Sequence, residues 1–196
     1  MLDHDFPIPE NGKGVPYGIY DITENVGFVN LGRSSDTAEF AVESLRRWWW
    51  HYGHEAYPDA AELVVLCDGG GSNSSRSIIY KKELVELSDE IGIPVKVRHY
   101  PPGTSKWNMI EHRLFSYISK NWAGRPLDSI DTMIKYIKST TTEAGLRVDA
   151  MLDKKTYQTG RAATQEDKDY VEKHIRRDEL HGQWNYTIYG NLSKAC

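Results

Sequence analysis

Hydrophobic positions along this chain switch between two periods, and the switching predicts a mixed α/β architecture. Val15 to Asp21 and Val26 to Leu31 are rich in Tyr, Ile, Val and Phe, with Ile22-Thr23-Glu24-Asn25 between them. Two such runs around a four-residue break predict a β-hairpin. Ala38, Ala41, Val42, Leu45, Trp48 and Trp49 then fall at helical spacing, while Arg46 and Arg47 leave the stripe. Asp36 and Glu39, three apart, suit an N-cap and its capping-box partner. The Trp48-Trp49-Trp50 run reads as core and helix-end packing rather than as a binding platform.

Leu63-Val64-Val65-Leu66-Cys67 is continuously apolar and ends in Asp68-Gly69-Gly70-Gly71-Ser72-Asn73. The run predicts a strand covered on both faces. A helix follows from Arg76 to Ile91, with Tyr80, Leu84, Leu87 and Ile91 inward and Gly92 as its stop. Val95 and Val97 alternate with Lys96 and Arg98 in a half-buried strand that runs into His99-Tyr100. Pro101-Pro102-Gly103-Thr104-Ser105 forces a rigid loop. Helices are expected from Trp107 to Asn121 and from Ser129 to Thr141, the second with Ile130, Met133, Ile134 and Ile137 inward. A charged helix near Gln165 to Leu180 and a strand over Trp184 to Ile188 complete the order, which is that of a mixed sheet flanked by helices.

Bulk properties narrow the class. The 196 residues suit one domain with a small appendage, and 39% hydrophobic against 27% charged residues is ordinary for a soluble globule. No apolar run reaches the roughly 18 residues of a membrane span, and the polar N-terminus is no secretory signal. Cys67 and Cys196 form neither a disulfide framework nor a metal-ligand spacing, so a cytoplasmic setting is expected. A net charge of −4 argues against coating nucleic acid by bulk electrostatics. Between residues 95 and 125, however, Lys96, Arg98, Lys106, Arg113, Lys120 and Arg125 face one acid, Glu111, as a polyanion-binding face would.

Two carboxylates stand out. Asp68 ends a strand just where open α/β sheets place their chemistry, and its glycines let backbone approach a ligand closely. The competing reading is a solvated cap on a Gly-rich turn. Glu111 shares a helix face with Trp107, Leu114, Phe115 and Ile118, so it projects from the apolar side and needs a cation or strong hydrogen bonds. The competing reading there is a buried ion pair. If the two acids converge, their oxygens suit Mg²⁺ or Mn²⁺, and metal-assisted phosphoryl displacement becomes the expected chemistry. A P-loop would need a Gly-Lys-Ser/Thr closure that Gly71-Ser72-Asn73 lacks. His51, His54, His99 and His112 lack zinc-site spacing.

With these residues in view, the chain resembles the Rhodopirellula-type DDE transposases of bacterial insertion sequences. The likeness runs through His4-Asp5-Phe6, Pro16 to Asp21, Asp36 to Val42, Asp68 to Asn73, Pro101 to Asn108 and Ile110 to Ser116. It continues through Asn121-Trp122, Thr140 to Thr142, His181-Gly182 and Trp184 to Tyr186. The resemblance implies a ribonuclease-H-like mixed sheet, a partial catalytic core over residues 1–145 and a C-terminal extension over 146–196. It implies Asp68 and Glu111 as catalytic, metal-binding second and third acids, with Mg²⁺ or Mn²⁺ as cofactor. DNA is the implied partner, in a homo-oligomer or with full-length transposase. Ser72, Asn73, Lys106, Asn108, His112 and Arg113 are the expected DNA contacts or supports of the site. The family's first acid lies on a strand upstream of the His-Asp-Phe segment, so a truncated domain lacking its first strand, inactive alone, is expected. Asp5 and Asp21 are the in-chain candidates for a substitute, although neither occupies the corresponding strand. The alternative is a non-catalytic DNA-binding or regulatory remnant.

Overall fold

Thr37, Ser77, Ser129 and Thr164 each accept a backbone N–H through a side-chain oxygen, and these four caps fix where the principal helices begin. At Thr164 the box is reciprocal, because Asp167 at the third helical position returns a bond to the cap's N–H. The computed structural model describes residues 6–8, 12–101 and 103–191. Asp5, Pro102 and Cys196 lie outside them.

The order is β1 (Phe6–Ile8), β2 (Gly12–Asp21), β3 (Val26–Gly32), α1 (Ala38–Trp48), a short α2 (His54–Ala56), β4 (Leu63–Cys67) and α3 (Ile78–Ile91). There follow β5 (Val95–His99), α4 (Ser116–Trp122), α5 (Ile130–Lys138), β6 (Arg147–Asp153), α6 (Gln165–His174), β7 (Ile175–Arg177) and β8 (Asn185–Ile188). This is a mixed α/β architecture compatible with a ribonuclease-H-like fold. The strands form two four-stranded sheets, β1-β2-β3-β6 and β4-β5-β8-β7. Each is mixed: β3 pairs parallel with β6, and β4 parallel with β5, while the other pairings are antiparallel.

The chain divides into two interleaved units, residues 1–36 with 109–157, and residues 37–108 with 158–196. In the first, the hairpin β2–β3 and β6 carry a core of Val29, Leu114, Ile118, Ile137, Leu146, Val148 and Ala150. Leu31, Ile130 and Met133 extend it toward α5. In the second, Val95, Val97, Tyr186 and Ile188 are fully buried on one face of the sheet, as are Tyr80, Leu84 and Leu87 of α3. The strand β6 completes the first sheet, and β7–β8 complete the second.

Several local expectations change. The α1 cap is Thr37 rather than Asp36. The β4 run is not covered on both faces. It sits at the edge of its sheet, with Val64 49% and Leu66 45% exposed. Its other parity, Leu63, Val65 and Cys67, registers with Val95, Val97 and His99 on the inward side. Apolar content alone cannot separate a doubly covered strand from an edge strand whose outer face is apolar. The charged helix stops at His174 and turns into β7. Trp48 and Trp49 are buried as expected, whereas Trp50 is exposed and donates its indole N–H to Glu90 at 2.7 Å.

Candidate active site

Asp68 follows the last residue of β4 and is half-buried. The chain then runs through Gly69 and Gly70 into a tight helical turn, Gly71–Asn73. Gly71 has φ +65°, a left-handed conformation that favours glycine. Gly69 and Gly70 have no such requirement. Neither has positive φ, Gly70 is extended at φ −117° and ψ 175°, and a Cβ on either would meet nothing within 4 Å.

Three buried groups hold this loop. His99, at the end of β5, has Nε2 2.9 Å from the Asn73 carbonyl oxygen and Nδ1 2.9 Å from that of Trp184. Lys81 of α3 donates to the Ser75 carbonyl at 2.6 Å and lies 5.2 Å from the Tyr186 ring centroid. Burial foremost, then the Arg177 charge, lowers the Lys81 pKa. The Cys67 thiol lies beside Asn73 and Tyr80, and burial foremost pushes its pKa up to about 12. Cys67 therefore stays a thiol at neutral pH and is no nucleophile.

A cavity of about 420 Å³ opens beside these residues, lined by Asp68, Gly69, Gly70, Arg76, Tyr100 and Trp184 among others. It lies at the C-terminal ends of the parallel pair β4–β5, which is where the sequence placed the chemistry. Of the expected supports, Ser72 is buried in the turn and Asn73 is half-buried with its carbonyl on His99. Asn108 is buried, and Lys106 is exposed, 5.8 Å from the Trp107 ring centroid. His99, Arg76, Tyr100 and Trp184 were not expected at the site. The inward parity of Val95, Val97 and His99 was the one available signal, and it pointed to His99.

Glu111 belongs to the first unit. It opens a wide helical turn, Glu111–Phe115, in which the Ser116 N–H reaches back five residues to the Glu111 carbonyl. Such insertions recur at functional sites. The turn is held by β2 and β3, whose glycines leave room for it. A Cβ on Gly27 would lie 2.3 Å from Leu114 Cδ1, and one on Gly18 2.6 Å from Phe115 Cζ. Leu114 and Ile118 are buried as expected and Glu111 is half-buried. Trp107 departs from that face. It is 64% exposed in a separate turn, Ser105–Trp107, because the Pro-Pro-Gly loop continues two residues further than the periodicity suggested. His112 and Arg113 are exposed. Asp21, a candidate substitute acid, accepts the Thr23 and Glu24 N–H groups at 2.9 and 3.1 Å and so caps the β2–β3 turn.

The basic stretch is partly spent on the protein itself. Lys96 pairs with Glu62 at 3.1 Å and Arg98 with Asp178 at 2.8 Å. Lys120 and Arg125 lie over the Tyr117 and Tyr136 rings. Among the described residues, no three His, Cys, Asp or Glu side chains group together as a metal cage. The donor chemistry of Asp68 still suits a hard cation that keeps most of its water and shares a carboxylate with a substrate phosphate.

No described helix is long and apolar enough to cross a membrane. No curated protein and no solved structure matches the chain. A family model, the Rhodopirellula transposase DDE domain, matches residues 1–190. That span takes in both units and both acids rather than one motif, and the chain therefore belongs to the Rhodopirellula transposase DDE domain family.

Proposed function

We propose that this chain supplies part of the catalytic domain that cuts and joins DNA at insertion-sequence ends, in the cytoplasm. Family membership assigns transposase function in general, with DNA as partner and divalent metal as the family's usual cofactor. The finer reading makes Asp68 and Glu111 the carboxylates that would hold Mg²⁺ or Mn²⁺. When bound, such an ion activates an attacking water or hydroxyl and neutralises charge on the phosphate. Asp68 supports this reading most directly, as a half-buried acid at a strand's C-terminal end, beside a cavity and two glycines the fold does not itself require. Ser72, Asn73 and Asn108 are read as supports of the loop, and Lys106, His112 and Arg113 as phosphate contacts.

The free edge of β4 supports a further element of the proposal. Among the described residues β4 pairs only with β5, and its outer face is apolar. A strand added there, from another segment or another transposase copy, would bring a third acid beside Asp68.

DNA binding is testable by fluorescence anisotropy on duplexes carrying the insertion-sequence ends. Affinity is expected to fall linearly with salt on logarithmic axes. Arg113→Ala should reduce that slope by about one and weaken binding to all sequences alike. Binding that ignores both salt and Arg113 would remove the phosphate-contact assignment.

A further inference from the structure

The glycines after Asp68 pose a question that the protein's own packing does not answer. Glycine is required where φ is positive or where a Cβ would collide. Gly69 and Gly70 meet neither condition: neither has positive φ, and a Cβ on either would enter open space. Gly18 and Gly27, by contrast, are required by Phe115 and Leu114. What remains for Gly69 and Gly70 is close approach by something outside the chain, and both line the 420 Å³ cavity.

The rest of the wall has the chemistry of a nucleotide. Arg76 is exposed, and among the described residues no carboxylate pairs with it. Its guanidinium is available for a phosphate, offsetting the repulsion Asp68 would exert. Tyr100 and Trp184 add aromatic surface, on which any base can stack. Trp184 is fixed in advance. His181 stacks against it at 5.5 Å and 23°, and its carbonyl accepts from the His99 backbone N–H at 3.1 Å as well as lying on the His99 ring. The volume falls in the range of small-ligand clefts, roughly 300–1,000 Å³, and is too small for a duplex.

We propose that this cavity receives one unpaired nucleotide of the DNA substrate, its phosphate on the Gly69–Gly70 ribbon and Arg76, its base against Tyr100 and Trp184. The proposal rests on reading the chain as a DNA transposase domain and adds to it a preference for strands that are locally unpaired.

Anisotropy with two probes tests it: a blunt duplex, and the same duplex with a short oligothymidine 3′ overhang. The intact chain should prefer the overhang by about tenfold or more, the scale of one base stacked on an aromatic side chain. In Gly70→Ala and in Trp184→Ala that preference should collapse toward unity. Gly70→Ala should keep the parent melting temperature, which separates lost contact from lost folding should Trp184→Ala fail to fold. Equal binding of both probes, unaffected by either variant, overturns the pocket and leaves the transposase reading standing. Binding of neither probe overturns both. Competition by thymidine monophosphate as effective as by the overhang would make this a free-nucleotide site and overturn the DNA assignment.

Discussion

Incubated with Mg²⁺ or Mn²⁺ and DNA carrying insertion-sequence ends, the 196-residue chain is expected to leave the strands uncut, and Asp68→Asn to change nothing. In-line displacement at a phosphate uses two ions, one for the attacking oxygen and one for the leaving oxygen. Two carboxylates bind one hydrated ion weakly and do not hold that pair. Among the described residues no three His, Cys, Asp or Glu side chains come together to hold a metal ion. Asp21 is already engaged with the N–H groups of Thr23 and Glu24. Removing a single electrostatic contributor from a preorganised site costs on the order of 10²–10³-fold in rate, and a site with two carboxylates in place of three should lose at least as much. Denaturing gels of end-labelled DNA provide the readout. Robust product that disappears in Asp68→Asn would show that these residues complete the site without an added strand.

His99→Ala is expected to lower the unfolding free energy by about 2–4 kcal/mol, a large share of the roughly 5–15 kcal/mol that holds a domain together. Both ring nitrogens of His99 face backbone carbonyls, which can only accept. An imidazole N–H on either nitrogen donates to the carbonyl it faces. The residue is 6% exposed, so water does not replace it. Truncation leaves the Asn73 carbonyl without its side-chain donor, at about 1–3 kcal/mol, while the Trp184 carbonyl keeps the backbone N–H of residue 99 at 3.1 Å, and it opens a void against Tyr186, whose ring centroid is 5.7 Å away. The consequence reaches the site, because Asn73 belongs to the turn after Asp68 and Trp184 lines the cavity. Guanidinium unfolding measures the loss. A change below about 0.5 kcal/mol would mean that neither bond matters to the fold.

Much of this architecture could be read from the chain, for identifiable reasons. The hairpin β2–β3, the helices α1, α3 and α5 and the strand β5 each carry their period, cap or turn within a dozen residues. Gly92 ends α3 at φ +74°, as a C-terminal glycine should. The strand β6 escaped because Arg147–Asp153 becomes a strand by pairing with β3, more than a hundred residues earlier. The exposed face of β4 escaped for a related reason. Five apolar residues fix that a strand exists, whereas its neighbours decide whether both faces are covered. Asp68 and Glu111 were legible as acids in unusual company. The wide turn at Glu111 was not, since it depends on how Leu114 and Phe115 settle against Gly27 and Gly18. Arg76, Tyr100 and Trp184 come from three separate stretches, and only folding brings them to one cavity.

The reading we propose stands or falls on whether Asp68 and Glu111 serve a single ion. Mn²⁺ binding followed by electron paramagnetic resonance, on the parent chain, Asp68→Asn, Glu111→Gln and the double variant, tests it most directly. A shared ion predicts that each single change removes most of the bound Mn²⁺ and that the double change adds little more, the non-additivity of groups acting on one ligand. Losses that simply add, or a Glu111→Gln variant that binds Mn²⁺ like the parent, would contradict the account.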